Sequence, residues 1–271
     1  MSILKFPKSF CNKLSAKVAK FWWRGQGKEK GIHWTAWTKL CTSKKEGGLG
    51  FNDFHHQNTA QLAKQAWRII KNPEVVWVRL LKALYFPNCE FWEAQSHRRG
   101  SLIWNSILQD RDLLKSKAKW NIDQGKRVKV WKDNWIYGLN QPLDKKNNED
   151  LRVEDLISSS KEWDQAKIKN FFPVIIAEKI IRTPISRISR QDKLIWPYRQ
   201  DGNYTVKTEY HIAKKEEEEK YSKDKPLTST PLEDLWLGIW NMRTPQKIKM
   251  FLWRTIHNIL LVKANLIKKD N

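Results

Sequence analysis

Cysteine, acidic residues and long apolar runs are all scarce in this sequence. The three cysteines, Cys11, Cys41 and Cys89, are odd in number, far apart and in no Cys-x-x-Cys pair. That excludes a disulfide framework and a cysteine-based zinc site, and it is the usage expected of an intracellular chain. No stretch approaches the ~18 consecutive apolar residues of a membrane span, and no helical segment pairs a clean apolar face with a Lys/Arg face over ~20 residues, so no membrane partner is expected. His55 and His56 are adjacent and point apart on a helix. His33, His97, His211 and His257 have no Cys or His neighbour at ligand spacing, so no metal or other cofactor is expected. Asp110 and Asp112 come closest to a paired carboxylate site, yet they interrupt a polar helix or loop rather than an apolar strand. Gly47-Gly48-Leu49-Gly50 lacks the preceding strand and the Lys-Ser/Thr of a phosphate-binding loop. Cys41 and Cys89 have no identifiable base. The residues therefore carry no catalytic constellation.

Positive charge and tryptophan are abundant instead. Fifty-one Lys and Arg face twenty-nine Asp and Glu, a formal net charge of +22, and there are sixteen tryptophans in 271 residues. Disordered chains are poor in aromatics, so most of this one is expected to pack. The charge is uneven. Residues 1–50 hold eleven basic residues against Glu29 and Glu46, and residues 98–132 hold ten against Asp110, Asp112 and Asp123. An excess of this size draws polyanions, and nucleic acid is the first partner to consider. The plainer reading is a basic surface that only keeps the protein soluble.

Hydrophobic spacing predicts a chain that is mainly helical. The acid-free stretch Met1–Lys20 shares its composition with organelle transit peptides. However, Phe10, Leu14, Val18 and Phe21 recur at helical spacing and predict a structural helix. A helix through Ile70 is predicted with Asn58 as its cap. The next is predicted to restart at Asn72-Pro73-Glu74, burying Trp77, Leu80, Leu81 and Leu84. Ser101–Leu114 carries a further stripe of Trp104, Ile107 and Leu108. The period then changes. Trp120–Trp131 predicts a β-hairpin, with Val128 and Val130 opposite Arg127, Lys129 and Trp131. Leu194-Ile195-Trp196 and Tyr204-Thr205-Val206 around Asp201-Gly202 predict a second. Residues 139–150 read as a loop, and Leu151–Ile157 and Trp163–Phe172 as short helices. The run Lys214–Lys220 is a solvated helix end or disordered. Thr230-Pro231-Leu232-Glu233 has capping-box spacing. It opens a helix burying Leu232, Leu235, Trp236, Ile239 and Trp240. Pro245 opens another, bearing Ile248, Phe251, Leu252, Thr255, Ile256 and Ile259, and the two are expected to pair as a helical hairpin. The fold class expected is α+β, mainly helical: Trp-rich helices, two small β-hairpins and a C-terminal helical hairpin.

A resemblance covers nearly the whole chain in order. Phe21-Trp22-Trp23, Ile32-His33-Trp34 with Trp37, Gly47–Phe51, Asn58–Arg68, Ala83–Pro87, Trp104–Leu108, Trp131–Trp135, Asp192 with Ile195-Trp196, and Gly202–Val206 resemble the segment after the polymerase domain in plant LINE-type (non-LTR) retrotransposon polyproteins. Trp236–Trp240 and Pro245–Arg254 resemble the opening of the reverse-transcriptase zinc-binding domain of the same polyproteins. The family's Gly-Asp-Gly turn is here Asp123-Gln124-Gly125. The resemblance implies that the polymerase carboxylates lie upstream of this chain, and that the zinc ligands and any ribonuclease H module lie downstream. It thus implies a fragment or degenerate gene product that is not itself an enzyme. Its divisions would be residues 1–138, the thumb end and Trp-rich connector; 139–213, a connector; 214–230, a charged linker; and 204–271, an incomplete zinc-binding domain overlapping that linker. A nuclear or cytoplasmic location follows by resemblance alone.

The role implied is sequence-independent binding of RNA or DNA. Arg98, Arg99, Lys126, Arg127, Lys129 and Lys132 are the expected contacts, since cations neutralise phosphates and release counterions. Trp131, beside them, could stack a base or pack in the core, and packing is the expectation. Two other classes compete: a protein-interaction or structural remnant whose basic surface has no nucleic-acid role, and a translated pseudogene that folds poorly. The sequence does not fix the oligomeric state.

Overall fold

The computed structural model describes residues 2–24, 32–96, 100–139, 142–143, 151–186, 190–221, 232–260 and 262. They form α1 (Lys8–Arg24), α2 (Trp37–Leu40), α3 (Phe54–Lys71), α4 (Val76–Tyr85), α5 (Leu102–Gln109), α6 (Arg111–Lys117), β1 (Lys119–Asn121), α7 (Gln165–Phe171), α8 (Val174–Arg182), β2 (Lys193–Ile195), α9 (Val206–Tyr221), α10 (Leu232–Asn241) and α11 (Gln246–Ile256). The class is α+β and mainly helical, as expected. The chain divides into two compact units. One comprises Met1–Lys5 with Thr59–Ile212, and the other Phe6–Asn58 with the described residues from Ala213 on.

The first unit is built on aromatic stacking. Trp104, fully buried in α5, lies parallel to Tyr85 at 4.8 Å and to Phe86 at 5.4 Å between centroids. Ser101 caps α5 by accepting from the Trp104 N–H at 3.2 Å. The face that α4 buries is the predicted one only in part: Trp77 and Leu81 pack against the core. Val78 is 2% exposed, while Leu80 and Leu84 are 59% and 62% exposed, because at helical spacing Trp77, Val78, Leu81 and Tyr85 form the side turned to the core and those two leucines fall off it. Asn72-Pro73-Glu74 forms a turn, and no side chain caps α4. A second cluster gathers Ile122, Val128, Val130, Trp131, Trp135, Leu156, Ile168 and Ile180. Trp131 packs there against Phe172 at 5.0 Å, so its ring is core.

Neither predicted hairpin forms between its own neighbours. β1 pairs antiparallel with β2, in the register Lys119 to Ile195, Trp120 to Leu194 and Asn121 to Lys193. The Val128–Val130 segment pairs instead with 151–153: Val130 N–H donates to the Leu151 carbonyl and Val153 N–H to the Val128 carbonyl, each at 3.0 Å. Around Asp201-Gly202 only a tight turn remains, closed by Trp196 N–H to the Gly202 carbonyl at 2.8 Å, and Val206 already opens α9. A turn signal marks where a chain reverses, but it does not name the strand that the chain will pair with.

Asp192 explains the redirection. Its carboxylate is buried, and Oδ1 accepts from the backbone N–H of Asp123 (2.9 Å), Gln124 (3.0 Å) and Gly125 (2.8 Å), while Oδ2 accepts from that of Arg127 (3.0 Å). The turn is wrapped around an anion carried by the residue just before β2, so β1 is drawn to β2. Gly125 has φ +74°, and a Cβ there would stand 2.5 Å from the Glu154 nitrogen, so only glycine lets the turn lie this close to 153–154.

In the second unit, the Gly47-Gly48-Leu49-Gly50-Phe51 loop is packing rather than a cradle. Its Gly47 carbonyl accepts from the Trp253 indole N–H at 2.8 Å and meets the His257 ring nitrogen at 2.8 Å, and a Cβ on Gly47 would strike the Trp236 ring. Helices α10 and α11 pair as the expected helical hairpin. Of the predicted stripes, Trp236, Ile239 and Ile259 are inside, with Trp240 and Leu252 packed beside them; Trp253, which the stripes omit, is buried as well, whereas Leu235, Ile248, Phe251 and Ile256 are exposed. Asp53, not Asn58, caps α3, accepting from the N–H groups of His55 and His56. Asn58 is fully buried and accepts from Phe6 N–H at 2.8 Å. The charge run from Lys214 continues α9 to Tyr221, and the predicted cap at Thr230-Pro231 lies outside the described residues.

Replacing Asp192 with Ala strands four backbone donors at once. Since each buried unsatisfied group costs about 1–3 kcal/mol, Asp192→Ala is expected to lower unfolding stability by about 3 kcal/mol or more in urea denaturation. A loss below ~1 kcal/mol would show that the turn holds without it.

Candidate nucleic-acid interface

The turn that Asp192 organises also presents cations. Lys126 and Arg127 sit at its tip and are exposed, and Lys132 is exposed a few residues on. The Arg127 guanidinium lies 5.8 Å from the centroid of the half-buried Trp120 ring, close enough for a cation–π attraction that holds the side chain over β1. Arg152 donates to the Lys126 carbonyl at 2.5 Å, bracing the turn from the other side. Neither Lys126 nor Arg127 has a carboxylate of any described residue within 4.0 Å. Lys129 is half-buried, and its ammonium meets Glu93 at 3.4 Å, so part of its charge is already answered. Burial pushes the neighbouring Asp133 carboxyl above the usual range, although the Lys129 N–H, at 2.7 Å, pulls it back. Arg98 and Arg99 lie outside the described residues. The structure thus brings Lys126, Arg127, Lys129 and Lys132 onto one short stretch.

Several cations escaped the reading of the sequence. Lys119 on β1, Lys193 on β2 and Lys71 at the end of α3 are in the same unit, and only strand register and helix packing bring them near the turn. The strand signal in the sequence begins at Trp120 and points to a hairpin with Trp131, so it says nothing of Lys119 lying beside Lys193. Asp192 was a landmark of the resemblance with no role attached.

The remaining titratable groups do not form a reactive centre. Among the described residues no group of three or more His, Cys, Asp or Glu could hold a metal ion. Both ring nitrogens of His56 meet carboxylates, Asp53 and Glu217, each at 2.9 Å. Burial pushes Asp53 up, but the hydrogen bonds from the His56 ring and from the backbone of His56 and His55 outweigh it and hold it at about 2. Burial raises the Cys41 thiol to about 11, away from the thiolate a nucleophile needs. Glu209, in the first turn of α9, is fully buried with neither carboxylate oxygen hydrogen-bonded. Burial raises it to about 7, with Asp110 adding to the rise and Lys117 opposing it. Asp110 is itself raised by burial, even though Lys5 donates to it at 2.6 Å. Glu209 has no surface through which a substrate could reach it, so its effect is on stability.

An unfolded Glu209 ionises near 4.5 and the folded one near 7, so its contribution to stability is complete below pH 4.5 and is lost as pH rises to about 7. The loss is roughly 3 kcal/mol. Glu209→Gln is expected to flatten that part of the profile, read as urea midpoints between pH 4.5 and 8, and an unchanged slope would assign the pH dependence to another group.

No protein-family model matches the chain, and no solved structure matches it significantly. It is 42% identical over 137 residues to a protein of Arabidopsis thaliana described as an uncharacterized mitochondrial protein, covering 50% of this chain and 89% of that one. It is 26% identical over 268 residues to a second Arabidopsis thaliana protein, described as a putative ribonuclease H protein. That likeness covers 93% of this chain but only 41% of the relative, so the chain spans about two fifths of that protein's length.

Proposed function

Because this chain belongs to one plant family with the uncharacterized mitochondrial protein of Arabidopsis thaliana, and is related along 93% of its length to part of a putative ribonuclease H protein, we propose that it is a non-catalytic, nucleic-acid-binding segment of retrotransposon reverse-transcriptase type. Its polymerase-related part is the thumb end and Trp-rich connector, followed by the opening of a zinc-binding domain. It binds RNA or DNA without sequence preference. Arg98, Arg99, Lys126, Arg127, Lys129 and Lys132 contact phosphates, and a second macromolecule carries any chemistry.

The observation that carries this reading is the Asp192-centred turn. It holds Lys126 and Arg127 outward, with no carboxylate of a described residue within 4.0 Å, in a chain of net charge +22. Phosphate contact by such cations releases counterions, so binding weakens steeply with salt. It needs no base-edge contacts and so carries no sequence preference. Trp67, Trp104, Trp131, Trp135, Trp196, Trp236 and Trp253 are buried and offer no face for a base to stack on.

The test is fluorescence anisotropy of a labelled ~20-nucleotide single strand against the full chain across a salt series. Affinity is expected to fall with salt, and Lys126→Gln/Arg127→Gln/Lys132→Gln to weaken binding at low salt and reduce the log–log salt slope by about 2. An affinity that does not move between low and physiological salt would remove phosphate neutralisation as the mechanism.

A further inference from the structure

We propose that Lys119 and Lys193 on the outer face of the β1–β2 sheet, with Lys71 beside Lys193, form a second phosphate-binding surface along which the backbone of a single-stranded nucleic acid continues from the 126–132 turn. This rests on the reading above and extends it to residues that neither the resemblance nor local sequence pattern singles out.

Strand geometry sets the face. Trp120 and Leu194 are directly opposed, Leu194 is buried, and Trp120 packs against both core clusters of the unit, so those two point inward. Lys119, Asn121, Lys193 and Ile195 must then share the other face. Lys119 opposes Ile195, and Lys193 lies two residues before Ile195 on β2. The two lysines are therefore diagonal neighbours, about 7–8 Å apart at the backbone. Lys71, the last residue of α3, comes from the core side, where its ammonium sits 5.3 Å from the Trp67 ring centroid, and it lies close enough to Lys193 to feel that charge.

The charges are unanswered. None of the three lysines has a carboxylate of a described residue within 4.0 Å. Asp192, the acid adjacent to Lys193, is spent on the backbone N–H groups of the turn. Burial lowers the Lys71 ammonium from its ordinary range, and the positive charge of Lys193 lowers it further; burial lowers Lys119 as well. Three cations held together by strand register and helix packing, two of them partly desolvated, are a standing demand for an anion. A more modest role for Lys71 is to complement the negative end of α3, but that accounts for neither Lys119 nor Lys193. The ligand is a phosphate chain rather than stacked bases, because the side chains on this face are Lys119, Asn121, Lys193 and Ile195, with no aromatic ring. Lys193 directly follows Asp192, whose carboxylate holds the 123–127 turn, so this face adjoins the turn.

Lys71→Gln/Lys119→Gln/Lys193→Gln in the full chain should weaken binding of a labelled ~20-nucleotide RNA about tenfold or more at low salt and lower the log–log salt slope by about 2. The matching Arg variant should retain both, which separates charge from folding, and a thermal melt of each variant checks that the fold persists. Amine acetylation of the wild-type chain should slow at all three lysines when RNA is present. If the Gln variant binds as the wild type does while the 126–132 variant loses affinity, this surface is not a contact and the reading of the turn stands. If the Arg variant loses affinity as the Gln variant does, charge is not the cause and the proposal fails. If the wild-type chain binds RNA with no salt dependence, both fail together.

Discussion

The carboxylate of Asp192 gathers the N–H groups of Asp123, Gln124, Gly125 and Arg127, and the middle of the first unit follows from that one wrapping. An anion surrounded by backbone donors satisfies itself and four groups that would otherwise need water. It also fixes where the 123–127 turn must lie. The turn in turn places Val128 and Val130 against 151–153, and holds β1 beside β2. The cations at its tip are held outward by a buried scaffold, so their separation does not depend on side-chain chance.

The tryptophans are the complementary constraint. Their number first suggests bases to stack on, yet the largest buried side chains include Trp104, Trp196 and Trp253. They solve problems of local geometry. Trp253 and Trp236 lie over the Gly47 loop, Trp104 is layered with Tyr85 and Phe86, and the Trp135 indole N–H donates to the Val130 carbonyl at 3.0 Å. A chain with this many wide, flat side chains can close small cores with few residues, and the remaining surface is left to lysine and arginine.

What could be read from the residues alone was mostly what is local. Helical periodicity located α1, α3, α5 and the α10–α11 pair, and Trp131 was expected in the core. Errors came where distance in the chain mattered. Strand signals at 120–122, 128–130 and 194–196 were correctly apolar and alternating, but each was matched to its nearest neighbour, since nothing local reveals that Asp192 will seize a turn 65 to 69 residues upstream. Leu80 and Leu84 fit a buried stripe with Trp77 and Leu81 as well as Val78 and Tyr85 do, and only the core that the helix packs against decides between them. Of the candidate interface, Lys126 and Arg127 were legible because a turn sits between apolar positions. Lys71, Lys119 and Lys193 were not, because register, not composition, sets them side by side.

The nesting of the two units in the chain has a consequence for synthesis. The first unit occupies Thr59–Ile212 and so interrupts the second, whose Phe6–Asn58 portion is made early but whose remaining part begins only at Ala213. On a ribosome adding about 5–20 residues per second, the early segment waits on the order of ten to thirty seconds for its partners, with Trp23, Trp34 and Trp37 in search of a core that has not yet been translated. The interrupting unit can meanwhile close on itself. The order of assembly is thereby written into the topology, inner body before outer, and a pause or a chaperone encounter during that interval would act on the N-terminal segment first.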